Sequence, residues 1–208
     1  VGYWADMEHP YITYDDKYIE SVWWALKEIW KKGLLYKGHK IVPYCPRCGT
    51  ALSSHEVAQG YKDVKETSVF VRFKRKGMEN AYFLAWTTTP WTLPSNVALC
   101  VNAEEDYAEI ETDGARYVLA QALVPSLFEE GTYTTLSVKK GSEYERCEYE
   151  PLFPYAEGSY REQAHYVVCD GYVTLTDGTG IVHIAPAFGE DDYRVGQKYG
   201  LPVVNMVD

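Results

Sequence analysis

The stretch WTTTPWTLPSN, residues 86–96, sets three adjacent threonines in front of a proline that two tryptophans flank. Threonine favours strands, but neighbouring residues on a strand point to opposite faces, so the run places hydroxyl groups on both sides. Pro90 cannot donate to a strand ladder and should end the strand there. The stretch therefore predicts a strand whose end carries clustered hydroxyl groups, with a purely structural strand of β-branched residues as the alternative.

The chain around this stretch has the composition of a folded protein. It has 208 residues, of which 46% are hydrophobic and 15% aromatic, enough for a sizeable core. Lys and Arg number 20 against 30 Asp and Glu, which gives a formal charge of −10. This charge argues against a module that binds nucleic acid mainly through phosphates, although a pocket can still admit one nucleotide end.

Cysteine usage points to a reducing compartment. Of the five cysteines, only Cys45 and Cys48 are close together, so no disulfide framework is expected. No signal peptide is recognisable and no apolar run is long enough to span a bilayer, and we expect a cytoplasmic protein without a membrane partner. The first residue is Val and the last residues read as a strand, which suggests a piece of a larger protein.

Two segments are expected. Residues 1–60 should form a helical arm with a Cys-x-x-Cys knuckle that connects to a body elsewhere, and residues 61–208 should form the main domain. Apolar residues recur at helical spacing between Asp15 and Gly33, which predicts an amphipathic helix. From about Thr67, short strands separated by turn residues predict a mainly β fold with flanking helices and a closed or nearly closed β-barrel core.

The knuckle is a candidate half of a metal site. Cys45 and Cys48 have the spacing of two thiolates on one face of a tetrahedral zinc ion. Four ligands are needed, and the chain has no second Cys-x-x-Cys. His39 and His55 are near in sequence, but their spacings match no common zinc finger. A half site completed by residues outside the chain and a knuckle without metal both stay open.

A third motif, GTGIVHIAPAFGEDDY at residues 178–193, combines a histidine with an aspartate pair. His183 follows a short apolar run, where a histidine is either structural or part of a site. Asp191 and Asp192 follow a glycine at a predicted helix start, where a carboxylate either caps the helix or points into a pocket. An ionised carboxylate in a pocket suits a cationic ligand such as an α-amino group.

Together, the two long motifs resemble the editing domain inserted into class I aminoacyl-tRNA synthetases. The Thr-Pro-Trp sequence is similar to the isoleucine-specific form, since the valine and leucine forms tend to carry Arg at the position of Thr89 and an acid at that of Trp91. The arm and the knuckle also resemble the isoleucine-specific enzymes, so the likeness covers essentially the whole chain. The HIGH and KMSKS signatures of the ATP site are absent, and no ligase activity is expected of this chain.

The resemblance implies a hydrolytic proofreading function on an editing-type fold. The expected substrate is the 3′ end of tRNA(Ile) that wrongly carries valine, with valyl-adenylate as a further candidate, and the rest of the synthetase chain is the expected partner. One methylene is worth about 1–3 kcal/mol of discrimination, a limit for which isoleucyl-tRNA synthetase is the standard example, so a second and smaller site is needed. An aminoacyl ester is already activated, so a positioned water suffices and no cofactor is expected for editing.

The resemblance also implies roles for single residues. Asp192 should anchor the α-ammonium group, and Thr88 should hold the terminal adenosine and the attacking water. His183, with Thr89, should narrow the side-chain pocket so that valine enters and isoleucine does not. The further substrate-binding residues that the resemblance implies are Thr87, Thr89, Trp91 and Asn96. For Asn96, a contact to the nucleotide and a brace within the loop are both open.

The same residues allow two rival functions. A non-catalytic interaction module built on the zinc knuckle would bind zinc at Cys45 and Cys48 and would show no esterase activity. A hydrolase with a Cys-His pair would need a nucleophilic cysteine, and the sequence context of Cys100, Cys147 and Cys169 is typical of none.

Overall fold

The computed structural model describes residues 2–153 and 163–206, and the chain divides into two compact units, residues 1–40 and 41–208. This division places the Cys-x-x-Cys knuckle in the second unit. The expected functional boundary between residues 60 and 61 stays a prediction.

The first unit contains one long helix, α1, Asp16–Lys31. The Asp15 carboxylate caps it by accepting the Lys17 backbone N–H at 2.9 Å, and the chain leaves the helix at Gly33 with φ +68°. The predicted helix and both of its ends are therefore confirmed. No residue of α1 is buried, and neither this helix nor any other within the described ranges is long and apolar enough to cross a membrane.

Within the described ranges, the second unit is built mainly from short strands, with three short α-helices. Its strands are β1 Tyr44–Cys45, β2 Thr50–Ala51, β3 Val69–Lys74, β4 Ala81–Thr87, β5 Ala98–Val101, β6 Asp106–Thr112, β7 Ala115–Ala120, β8 Thr134–Lys140, β9 Tyr166–Cys169 and β10 Val182–Ile184. Its α-helices are α2 Ser54–Ala58, α3 Val124–Leu127 and α4 Glu190–Tyr199. The predicted mainly β fold with helices is thus confirmed.

The strands of residues 2–153 and 163–206 form three separate sheets. The largest has the order β3-β4-β7-β6-β8, a second has the order β10-β5-β9, and β1 pairs with β2 in a small ribbon. The described pairs β4–β7 and β5–β9 are parallel, and the other pairs are antiparallel. Within the described ranges no sheet closes on itself, so the barrel closure expected from the strand spacing is not found.

The two larger sheets share a core in place of a closed barrel. Phe73 and Phe83 of the five-stranded sheet pack in the same cluster as Leu99 and Val167 of the three-stranded sheet. Strands β5 and β9 are buried along their whole length, as is typical of strands covered on both faces. Regular strand spacing in a sequence is compatible with two such packed sheets as well as with a barrel. The closed barrel was therefore a wrong inference from strand spacing alone.

Three elements of this fold approach one another at one end of the core. Strand β4 ends at Thr87, and the chain then turns into a 3₁₀ helix, Pro90–Ser95. The strand end predicted ahead of Pro90 is therefore confirmed. Strand β10 lies beside β5, and a short turn leads from it into α4. The threonine run and the motif around His183 thus come from elements that share the same core.

Candidate functional site

A cavity of about 390 Å³ lies where the end of β4, strand β10 and the start of α4 meet. Its size is at the lower end of the range for small-molecule pockets. Six residues predicted for the site line it, which are Thr87, Thr88, Thr89, Trp91, His183 and Asp192. Two motifs about ninety residues apart in sequence therefore converge on one small cavity.

The threonine run forms a tight loop stabilised by its own side chains. The Thr87 hydroxyl accepts the Thr89 backbone N–H at 3.0 Å, and the two hydroxyl oxygens are 3.3 Å apart. The Thr92 hydroxyl donates to the Thr89 carbonyl at 2.8 Å. Such side-chain to backbone bonds fix a turn where the strand ladder stops. The half-buried Thr88 at the middle of this turn lines the cavity.

His183 is a neutral and firmly held part of the cavity wall. Its side chain is buried, and this burial lowers the pKa of His183 to about 4, so the ring carries no charge at pH 7. Its Nε2 lies 3.1 Å from the Thr92 hydroxyl oxygen. The only proton of that hydroxyl already goes to the Thr89 carbonyl, so His183 must donate from Nε2. Nδ1 is then an acceptor, and it is buried without a partner among residues 2–153 and 163–206.

The Asp192 carboxylate lines the same cavity from the first turn of α4. Its Oδ2 accepts the Ala185 backbone N–H at 2.9 Å. Gly189 leaves it room, because a Cβ at that position would lie 3.0 Å from the Asp192 carboxyl carbon. Burial, and then the nearby Asp191 charge, raise the pKa of Asp192 to about 6, although the Ala185 N–H opposes this. At pH 7 the group is mostly ionised.

The two neighbouring aspartates have different surroundings. Asp191 is exposed and forms an ion pair with Arg194 at 3.2 Å. The ion pairs recorded for α4 in the described part of the chain involve Arg194 and Lys198 and leave Asp192 without a cation. The residue at the N-cap of α4 is Gly189, so the capping alternative for this aspartate pair is wrong. Asp192 is thus a half-buried carboxylate that lines the cavity, and Asp191 is an exposed surface charge.

Trp91 and Asn96 take positions at different depths. Trp91 is 62% exposed and lies at the edge of the cavity. Asn96 is buried and is absent from the cavity wall. Its Nδ2 donates to the Ala98 carbonyl at 2.8 Å, and its Oδ1 accepts the Tyr149 hydroxyl at 2.6 Å. Both polar atoms of the Asn96 side chain therefore form hydrogen bonds within the fold. Of the two roles expected for Asn96, this arrangement is the brace and not the nucleotide contact.

Five wall residues were not among the predicted site residues, namely Trp86, Thr92, Val182, Phe188 and Gly189. Thr92 lies three residues after Thr89, a spacing that one turn of a 3₁₀ helix brings onto the same side. Proline at position 90, which favours the first turn of a helix, was a usable signal for this turn. Phe188 belongs to the turn between β10 and α4, for which the sequence contains no periodic pattern.

The knuckle supplies two thiols in the described part of the chain. It is a hairpin of β1 and β2 whose turn is closed by the Gly49 N–H, which donates to the Cys45 carbonyl at 2.8 Å. The Cys48 backbone N–H, and then the Cys48 side chain, lower the pKa of the Cys45 thiol. Among the described residues, no three His, Cys, Asp or Glu side chains are close enough to hold a metal ion together. All five cysteines are free thiols.

The fold and the cavity agree with membership of a known family. A family model described as tRNA synthetases class I (I, L, M and V) matches residues 1–181, and the chain therefore belongs to the class I aminoacyl-tRNA synthetases. Within that family it is similar to isoleucine–tRNA ligases. That of Clostridium acetobutylicum is 63% identical over 208 residues, which cover 100% of this chain and 20% of that protein.

More distant relatives agree with this assignment. The isoleucine–tRNA ligase of Picrophilus torridus is 54% identical over 208 residues, again 100% of this chain and 20% of that protein. The chain thus spans about a fifth of the length of the curated relatives it matches. The resemblance to the isoleucine-specific enzymes, inferred above from the motifs, is confirmed.

Solved structures support the fold independently. The crystal structure of GlLeuRS-CP1 superposes with a TM-score of 0.53 at 18% identity, covering 66% of each chain. The P. knowlesi cytosolic leucyl-tRNA synthetase editing domain superposes with a TM-score of 0.52 at 13% identity, covering 67% of this chain and 66% of that one. Over about two thirds of its length, the chain therefore has the fold of the editing domains of class I synthetases.

Proposed function

We propose that this chain is a proofreading hydrolase that removes valine from mischarged tRNA(Ile). The observation that carries the proposal is the convergence of the threonine run, His183 and Asp192 on one small cavity. Valyl-adenylate is a second candidate substrate for the same cavity. The function would operate as part of an isoleucine–tRNA ligase in the cytoplasm, with the tRNA body held by other parts of that enzyme.

Asp192 would recognise the α-ammonium group of the aminoacyl ester. It is the carboxylate of the cavity wall, it is largely desolvated, and the ion pairs of α4 leave it unpaired. A hydrogen bond between two ionised groups in such surroundings is stronger than one between neutral groups. The α-ammonium would therefore be held at the end of the cavity where α4 begins.

The threonine turn would hold the ester and the attacking water. Thr88 faces the cavity, whereas the hydroxyl groups of Thr87 and Thr92 are committed to the turn itself. A fixed hydroxyl beside a bound ester can orient water for attack, and orientation alone accounts for large rate gains. No nucleophilic side chain is needed, because the ester bond is already activated. The exposed Trp91 would contact the terminal nucleoside at the cavity edge.

His183 would exclude isoleucine by its shape. The ring is neutral and held by the Thr92 hydroxyl, so it cannot swing away without breaking a buried hydrogen bond. A rigid wall rejects an additional methylene more strongly than a mobile one, because packed interiors deform little. The site would thus accept the shorter side chain of valine.

Zinc would have no part in this hydrolysis. Cys45 and Cys48 could hold zinc only if other parts of the polypeptide supplied the missing ligands, since the described residues include no third ligand for them. The rival function as a zinc-knuckle interaction module predicts stoichiometric zinc and no deacylation. Metal analysis together with the assay below separates the two functions.

The test is deacylation of tRNA(Ile) charged with labelled valine. Asp192→Ala should lower kcat/KM about 100-fold, the loss expected for a charge-assisted hydrogen bond. Asp191→Ala is the matched control, because it removes a carboxylate from the neighbouring position that is exposed and paired with Arg194. It should retain activity within about threefold. Full activity of Asp192→Ala, or hydrolysis of Ile-tRNA(Ile) as fast as that of Val-tRNA(Ile), contradicts the proposal.

A further inference from the structure

A buried hydroxyl that acts on the Asp192 side chain lacks an ordinary hydrogen bond. The Tyr172 hydroxyl oxygen is inaccessible to solvent and has no partner of normal geometry among residues 2–153 and 163–206. A buried polar group of this kind is costly and calls for an explanation. Burial, followed by the charges of Cys100 and Asp192, raises the pKa of Tyr172 above its ordinary value. The Tyr172 hydroxyl therefore lies within electrostatic reach of the Asp192 carboxylate.

The loop that carries Tyr172 is clamped onto α4, the helix that carries Asp192. Arg194 of α4 forms a two-pronged ion pair with Asp170, with N–O distances of 3.0 and 3.1 Å. The Tyr172 backbone N–H donates to the same Asp170 carboxylate at 3.3 Å, and the Arg194 guanidinium lies 5.8 Å from the centre of the Tyr172 ring. A bidentate ion pair of this type fixes the relative orientation of the guanidinium and the carboxylate as well as their distance. The Tyr172 ring thus lies beside a guanidinium of the helix whose first turn borders the cavity.

We propose that Tyr172 is a positioning residue for Asp192, with its hydroxyl donating to the carboxylate while the α-ammonium of the substrate is bound. The inference rests on the proposed function and extends it. The Ala185 N–H occupies Oδ2 of Asp192, and a carboxylate accepts about four hydrogen bonds in all. Three donors, the amide, the phenol and the ammonium, can therefore share it. The phenol would keep the carboxylate turned towards the cavity.

The pKa of Asp192 depends on the groups that surround its carboxyl. On its own helix, Asp191 raises the pKa of Asp192, after the larger effect of burial. The Tyr172 hydroxyl and the Ala185 N–H act in the opposite direction. His183 on β10 is neutral at pH 7, since burial lowers its pKa to about 4. Removing the phenolic hydroxyl should therefore make the Asp192 carboxylate easier to protonate.

The test compares Tyr172→Phe with Tyr144→Phe. Tyr144 is a matched control, because its hydroxyl is also buried without a partner in the described ranges, but it lies in the main core and is not among the groups that affect the pKa of Asp192. Titration of the Asp192 carboxyl by ¹³C NMR, without substrate, should give a midpoint about one pH unit higher in Tyr172→Phe and unchanged in Tyr144→Phe. A merely structural role of Tyr172 would not move this midpoint.

Kinetics supply the second measurement. In Tyr172→Phe, the KM for Val-tRNA(Ile) at pH 7 should rise about tenfold while kcat stays within about twofold, because orientation of the anchor affects binding of the ammonium. An unchanged Asp192 midpoint, or a loss confined to kcat, overturns the role of Tyr172. Failure of the proposed function has a different signature, since the unmodified protein would then not hydrolyse Val-tRNA(Ile) whatever the titration shows.

Discussion

Replacing Asp192 by Asn should make the protein more stable at neutral pH and at the same time remove its recognition of the α-ammonium group. The reason is that the folded protein keeps an ionised carboxylate in a largely desolvated place without a cation. Binding sites commonly retain such groups at the expense of stability. An asparagine has nearly the same shape, and its oxygen can still accept the Ala185 N–H.

The magnitude follows from the titration of this carboxyl. Burial raises the pKa of Asp192 from the ordinary 3.8 to about 6. Each pKa unit corresponds to ~1.4 kcal/mol, so ionisation in the folded state lowers the free energy of unfolding by about 3 kcal/mol. Removing the charge should recover about 1–3 kcal/mol, which corresponds to a rise in Tm of roughly 2–10 °C for a chain of this length.

The contribution of Asp192 to the free energy of unfolding changes with pH in a definite direction. Because the pKa is higher in the folded state than in the unfolded state, the folded protein binds more protons between about pH 4 and pH 6. The contribution of Asp192 to stability is therefore lost as the pH rises through this window. Below about pH 4 the carboxyl is protonated in both states, and Asp192→Asn should then be as stable as the unmodified protein.

The assay is denaturant unfolding at several pH values between 3.5 and 8, with Asp191→Asn as the control. The difference in free energy of unfolding between Asp192→Asn and the unmodified protein should grow through pH 4–6 and then level off. Asp191→Asn removes an exposed ion pair with Arg194 and should change stability by less than about 1 kcal/mol. A destabilised Asp192→Asn, or a gain that does not depend on pH, refutes the reasoning.

Three further predictions concern the cavity wall and its support. His183→Ala should raise hydrolysis of Ile-tRNA(Ile) at least about tenfold in a deacylation assay, since one methylene is the distinction that the ring enforces; unchanged protection of Ile-tRNA(Ile) would exclude the steric role. Asn96→Ala should lower the free energy of unfolding by about 1–3 kcal/mol, measured in denaturant, because it leaves the buried Tyr149 hydroxyl without its hydrogen-bond acceptor; an unchanged free energy of unfolding would show that this brace is unimportant. Gly180→Ala should destabilise the fold more than most surface changes, since φ is +72° and a Cβ would lie 2.4 Å from that of Ala120; an unchanged Tm would contradict the packing seen there.

Two kinds of information allowed features of this protein to be predicted. Thr88 and Asp192 were chosen because their motifs resemble a known family, since the residue types alone left structural explanations open; the structure brings both residues to one cavity, and their roles stay predictions. The helix of the arm was predictable from local sequence alone, because a capping aspartate precedes the periodic apolar residues and a glycine follows them.

Sheet closure was not predictable from local sequence. Whether strands close a barrel depends on which edges pair, and β4 pairs in parallel with β7 rather than with a strand that would complete a ring. The role of Asn96 also depended on a distant residue, because its partner Tyr149 is more than fifty positions away. Long-range pairing of this kind leaves no periodic trace near either residue.

The most direct test of the central claim is a crystal structure of the protein with a non-hydrolysable valyl-adenosine analogue. The account predicts that its ammonium group hydrogen-bonds to the Asp192 carboxylate, that its ribose end lies at Thr88, and that its isopropyl group rests against His183. An analogue bound elsewhere, or bound in this cavity with its ammonium directed away from Asp192, would contradict it.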